Sequence, residues 1–283
     1  MFSIIIPTYN NLNYLKLCIK SLLKNSKYEH EIIIHINDGS DGTLKYAIEN
    51  NIKHTFSETN IGLCSSMNKA YSLTTTDYIL YAHDDMYFCN NWDNFLIDEI
   101  KKQENNLYYL TGTNVSTRHG LINFDCGSTY LDFDEKKFHN FCLQDQTPDL
   151  QSSHWAPHLI HKELWDKIGG FSEEFNPGDG SDPDFCMKLW KQDVRIFKGV
   201  SKFKVYHFNS ITTRNDKIIL NNGTKTFLFK YGFNPKFFRK HYLKGNNSVI
   251  PFEGRLNNPK KNFSMLIDLT INKIKYTINK FRA

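Results

Sequence analysis

Short apolar runs alternate with helix-patterned segments over roughly the first ninety residues. No other feature of the chain restricts its fold as much. Phe2 to Ile6 is a short apolar strand closed by Pro7. Leu12, Leu15, Ile19, Leu22 and Leu23 then recur at helical spacing. Glu31 to Ile36 reads as a second strand, ending at Asn37-Asp38-Gly39-Ser40-Asp41-Gly42. Thr43 to Asn50 reads as a helix, His54 to Ser57 as a third strand and Leu63 to Leu73 as a second strong helix. Asp77 to Ala82 is a fourth strand that runs into His83-Asp84-Asp85. Such alternation predicts a mostly parallel sheet with right-handed crossovers. Ligands of these sheets sit beyond the carboxyl ends of the strands, where Thr8-Tyr9-Asn10, Asp38 and Asp84-Asp85 fall.

From Trp92 to His158 the pattern is less regular, with Asn, Asp, Gly and Thr interrupting aromatic strands. Glu163 to Gly169 reads as a helix stopped by Gly169-Gly170. Pro183 to Gln192 is predicted as a helix that starts inside a second acidic cluster, Asp179-Gly180-Ser181-Asp182-Pro183-Asp184. Val194 to Phe197 and Phe203 to Phe208 read as two strands. In the tail, Ile267, Ile271, Ile274, Ile278 and Phe281 recur at helical spacing with Lys273, Lys275, Lys280 and Arg282 between them. This fits a helix docked on its own domain or another chain, or a basic amphipathic helix on an anionic membrane.

The net charge of +5 is too small to argue for nucleic acid as a partner. The six cysteines are scattered and form no C-x-x-C pair, which predicts buried thiols in a reducing compartment. The first strand begins at Phe2, so no leader is expected, and no apolar run is long enough to span a membrane. The expectation is a cytoplasmic protein, with peripheral contact at the inner membrane face through the C-terminal helix as a further expectation.

Several chemistries lack their motif. G-x-G-x-x-G does not follow the first strand, and there is no Walker A loop and no G-x-S-x-G elbow. What stands there instead is Ile4-Ile5-Ile6-Pro7-Thr8-Tyr9-Asn10, then Ile34 to Thr43 with Asp38, then Asn60-Ile61-Gly62 with Asn68, then Tyr78 to Asp85. The series continues through Trp165 to Phe171 and Ser181-Asp182-Pro183-Asp184 to His207. In this order the segments resemble the family 2 inverting glycosyltransferases of the GT-A fold, over roughly residues 2 to 210. The resemblance implies an α/β domain over 1–245, with a Rossmann-like nucleotide-binding half (1–95), an acceptor-binding half (96–245) and a basic tail at 246–283.

It also implies roles. Asp38 would accept the ring N–H of a uracil, Tyr9 would stack on the base, and Pro7 and Thr8 would add polar contacts; Asn60, Gly62 and Asn68 belong to the same donor site. Asp84 and Asp85 match the metal-binding D-x-D motif with His83 in place of its first Asp. Side chains of adjacent strand residues point to opposite faces, so the two carboxylates are not expected to touch one ion alike; the motif alignment implies Asp85 as the direct ligand of Mn²⁺ or Mg²⁺ and Asp84 at the ribose or a metal-bound water. His207 would complete the metal site. Asp182 is the expected general base, held ionised near a helix N-terminus. Asp179 is a weaker candidate for that role. Asp184 and Trp155, with His154, are expected at the acceptor, and Arg214, Asn222 and Lys225 at the diphosphate. His154, His158 and His161 have metal-like spacing, but Pro157 interrupts it. The implied reaction moves a hexose-type sugar from a nucleoside diphosphate sugar, UDP first, to a hydroxyl of a glycan or lipid-linked acceptor. A catalytically inactive nucleotide- or glycan-binding module is the alternative, because His83 breaks the metal motif. A nucleotidyltransferase is a third reading, disfavoured by the missing Gly-rich basic loop.

Overall fold

The computed structural model describes residues 1–209, 221–245 and 250–281. Arg214 and Arg282 lie outside them. Along the described residues the strands are β1 (Phe2–Tyr9), β2 (Glu31–Asn37), β3 (Lys53–Ser57), β4 (Tyr78–Tyr81), β5 (Met86–Phe88), β6 (Tyr108–Ser116), β7 (Ile122–Asn123), β8 (Leu150–Gln151), β9 (His158–His161) and β10 (Ile196–His207). The helices are α1 (Leu12–Asn25), α2 (Thr43–Glu49), α3 (Leu63–Tyr71), α4 (Trp92–Ile100), α5 (Glu135–Gln144), α6 (Lys162–Ile168), α7 (Ser181–Lys191), α8 (Gly223–Tyr231), α9 (Pro235–His241) and α10 (Phe263–Phe281).

All ten strands join one sheet, whose main order is β3-β2-β1-β4-β9-β6-β10-β5. Strands β3, β2, β1 and β4 run parallel, as the alternation predicts. β9 is antiparallel to both its neighbours and carries the sheet into the second half of the chain. Ile4, Ile5, Ile6, Ile33, Ile34 and Ile36 are wholly buried. That is why these strands read as unbroken apolar runs: helices cover both faces, so no position is left for solvent. α1 turns Leu15, Cys18, Ile19 and Leu22 inward, while Leu23 is exposed.

Two strand readings are corrected. Pro7 does not close β1; the strand continues to Tyr9, which pairs with Asn37. The Ile5 carbonyl accepts from Ala82 N on the β4 side, and residues two apart face the same neighbour. β4 pairs only as far as Ile5, so no partner there needs the N–H that Pro7 lacks. The two strands predicted near residues 194–208 are one, β10, with a bulge between Val200 and Lys204. The bulge absorbs residues that otherwise break the alternation.

Candidate active site

The sheet order reverses between β1 and β4, and the site lies at that switch point. Pro7, Thr8 and Tyr9 from the end of β1, Asn37 from β2, and Tyr81, His83, Asp84 and Asp85 from β4 and the turn after it line one cleft. Asn60 and Leu63 at the start of α3, Pro177, Gly178 and Asp179, Ser181 and Asp182 at the start of α7, and Asn221 complete the lining. The cavity holds ≈ 460 Å³, within the range of small-molecule sites.

Asp84 and Asp85 occupy a turn, not an extended strand, yet they still part to different partners. Asp84 accepts from Thr8 Oγ1 at 2.6 Å and Asn11 Nδ2 at 3.0 Å. Burial, then the neighbouring Asp85 charge, raise its carboxyl to about 7 against those two hydrogen bonds. Asp85 is buried, with Oδ1 3.1 Å from His207 Nε2. That nitrogen is buried. The ligand atoms of His83, Asp85 and His207 lie within 4.8 Å of one another. Two imidazoles and a carboxylate so close fit a divalent cation between them. Burial, then His207, push the His83 imidazole down to about 4, so it is neutral and able to ligate. His207 moves the other way: Asp85 outweighs burial and raises it.

Asp182 lines the same cleft as His83 and Asp85. Gly180 is the N-cap of α7 and the helix starts at Ser181, so Asp182 and Pro183 lie within its first turn. The expectation of a base held ionised by the helix end is corrected. Burial outweighs the dipole and raises the Asp182 carboxyl to about 7. Its Oδ1 is buried without a hydrogen-bond partner. Asp179 lines the cleft too, but its Oδ2 accepts from Gly223 N at 2.8 Å and so fastens α8.

Other expected site residues stand elsewhere. Asp184 does not reach the cleft: it is 1% exposed and binds Ser172 Oγ, Tyr231 Oη and Lys230 Nζ, tying α7 to α8. Asn68 is likewise occupied, with its amide bonded at both ends to the Phe171 backbone at 2.8 and 2.9 Å. Gly62 is absent from the lining; its positive φ and close approach to Asn176 let the chain enter α3. Trp155 meets the His154 ring at a tilt of 37° outside the cleft lining. Asn222 caps α8 and Lys225 lies over the Phe229 ring. Asp38 follows Asn37 just outside the lining, and its carboxylate accepts from Asn10 Nδ2 at 3.0 Å and Ser40 N at 3.2 Å.

Three residues escaped the sequence reading. Asn11 anchors Asp84. Asn37 fixes the strand ends through Thr8 O, Ser66 Oγ and Ile61 N. Tyr81 lines the cleft, and its buried hydroxyl has no hydrogen-bond partner. The signal was a polar residue at a strand end for Asn37 and at a helix N-cap for Asn11, whereas Tyr81 passed as one more apolar strand position.

The sequence profile described as glycosyl transferase family 2 matches residues 3–156. A hyaluronan synthase of Pasteurella multocida is 28% identical over 255 residues, 88% of this chain but 23% of that protein. An uncharacterized glycosyltransferase of Rickettsia typhi is 32% identical over 204 residues, 69% of this chain and 59% of the relative. The chain thus spans less than two thirds of the length of these relatives. Among solved structures, S. aureus TarS 1-349 in complex with UDP-GlcNAc aligns with a TM-score of 0.56 at 16% identity, covering 81% of this chain and 63% of that one. GalNAc-T7 with UDP, GalNAc and Mn²⁺ aligns with a TM-score of 0.57 at 16% identity, covering 84% and 49%. The fold is therefore GT-A, and with its profile match covering more than half its length the chain belongs to glycosyl transferase family 2.

Proposed function

We propose that this protein is an inverting glycosyltransferase that moves a hexose-type sugar from a UDP-sugar to a hydroxyl of a glycan or lipid-linked acceptor. One observation carries the reading: a carboxyl raised to about 7, Asp182, lines the same cleft as the His83–Asp85–His207 cluster. A base with that affinity for protons is tuned to neutral pH. Asp182 takes the proton from the acceptor hydroxyl as its oxygen bonds to the anomeric carbon. The bond from that carbon to the diphosphate oxygen breaks in the same displacement, so the anomeric centre inverts and UDP leaves.

His83, Asp85 and His207 would hold the divalent cation. When bound, it supplies the positive charge that a departing diphosphate needs. Two imidazoles favour Mn²⁺ over Mg²⁺, which prefers all-oxygen surroundings. Thr8 and Asn11 hold Asp84 in place beside it, and Tyr9, with Asp38 next to Asn37, is the candidate reader of the uracil. UDP in the TarS and GalNAc-T7 structures supports a uridine donor, and the chondroitin and hyaluronan synthases among the relatives support a polysaccharide acceptor.

The test is calorimetric titration of UDP, GDP, dTDP and CDP with Mn²⁺ and with chelator, on the wild type and Asp85→Ala. Selective, metal-dependent UDP binding that disappears in the variant is expected. Binding of no nucleotide would overturn the reading. Binding without any UDP release in the presence of UDP-sugars and glycan acceptors would favour an inactive binding module.

A further inference from the structure

The helix α10 docks with its faces reversed. An amphipathic helix of a globular protein ordinarily turns its apolar stripe inward. Here the inward face mixes polar and apolar residues. Asn272 is 3% exposed, and its Oδ1 accepts from Asn234 N at 2.9 Å. Asp268 accepts from Lys240 Nζ and His241 Nε2, each at 2.7 Å. Met265 and Leu269 supply the apolar contacts with the body of the protein, and Tyr276 meets Phe229 edge-on.

The opposite face is the one that would normally be buried. Ile267, Ile271, Ile274 and Ile278 are 44–55% exposed and Phe281 is 87% exposed. At about 3.6 residues per turn these residues and the exposed Leu266 form one sector, with Lys275 beyond one edge and Lys273 and Lys280 beyond the other. The helix has one acidic residue, Asp268, and the docked face uses it. The stripe is therefore apolar between two basic borders, with no negative charge.

We propose that this face of α10 lies in the headgroup layer of an anionic phospholipid membrane. The charge pattern selects this occupant. A second copy of the helix would bring basic borders against basic borders, whereas an anionic lipid surface complements them and takes the apolar stripe between. The lysine stems can extend along the stripe while their ammonium groups reach the phosphates. At 19 residues the helix is roughly 28 Å long. Among the described residues no helix is long and apolar enough to cross a membrane, so α10 lies in the plane of the surface. The inference is independent of the donor chemistry proposed above.

The test is co-sedimentation of the full chain with vesicles of phosphatidylcholine alone and of equal parts phosphatidylcholine and phosphatidylglycerol. Binding to the anionic vesicles, and little to the neutral ones, is expected. Replacing Lys273, Lys275 and Lys280 together by alanine is expected to cut partitioning roughly 100-fold, at about fivefold per lysine. Ile271→Glu with Ile274→Glu is expected to abolish it. These side chains are exposed, so the thermal transition of each variant should match the wild type. Absence of binding to either vesicle, or equal binding to both, would overturn the proposal. So would a concentration-dependent dimer that Ile274→Glu dissolves without any vesicle binding, since the face would then join two copies.

Discussion

Replacing Asp182 by asparagine should lower turnover and raise stability together. The amide is nearly isosteric with the carboxyl but cannot take a proton from an attacking hydroxyl. General-base contributions of ~10²–10⁴-fold set the expected loss in kcat, or roughly 3–5 kcal/mol of barrier. The stability change follows from linkage. Burial raises this carboxyl from 3.8 to about 7 in the folded protein. Below pH 3.8 it is protonated in both folded and unfolded chains. Between there and about 7 the folded state keeps a proton that the unfolded chain has released, so wild-type stability falls as pH rises. The full linkage is about 4 kcal/mol. The carboxyl borders an open cleft whose water screens part of it, so about 1–2 kcal/mol is the expected gain of the variant. Urea unfolding should show that gain at about pH 8 and none near pH 3.5. Release of UDP from a UDP-sugar in the presence of acceptor measures the other half, and wild-type kcat/KM should rise tenfold per pH unit below about 7 and then level. An Asp182→Asn enzyme within tenfold of wild type would refute the base assignment. A stability difference that does not change with pH would refute the burial argument beneath it.

His83→Asp restores the carboxylate pair of the metal motif, and should move the preference from Mn²⁺ toward Mg²⁺ in titrations of UDP with each cation; an unchanged ratio would mean that His83 is not a ligand. Asp184→Ala should cost about 3 kcal/mol in urea unfolding, because Lys230, Ser172 and Tyr231 lose a shared buried partner. Asn68→Ala should cost about 2 kcal/mol through its two lost backbone hydrogen bonds, yet leave UDP affinity within twofold of wild type. A large loss of UDP affinity at stable fold would return Asn68 to the donor site. Tyr81→Phe removes a buried hydroxyl with no protein partner. It should leave stability equal or about 1 kcal/mol higher while lowering turnover, which would identify the substrate as that hydroxyl's partner.

What the sequence made legible and what it did not divide along a physical line. Period and strand-end chemistry are local, and they were readable. The isoleucine runs of β1 and β2, the helical spacing of α1 and the acidic turn after β4 needed only neighbours in the chain. Geometry made by distant segments was not readable. Asp184 and Asp182 are two residues apart on α7 and carry the same functional group. One meets Tyr231 and Lys230 of α8 and becomes a tie, while the other lines the cleft with a buried Oδ1 that has no hydrogen-bond partner. Nothing within α7 predicts which is which. The same holds for Asn68, whose fate is settled by the backbone of Phe171, about a hundred positions on. α10 carries the point furthest. Its periodicity was plain in the sequence, and a periodic apolar stripe ordinarily predicts the buried side. Asp268 and Asn272 instead find partners on α9 and at its start, and those bonds turn the stripe outward. Periodicity therefore fixes that a helix has two unlike faces, and long-range polar contacts decide which of them the protein keeps for itself.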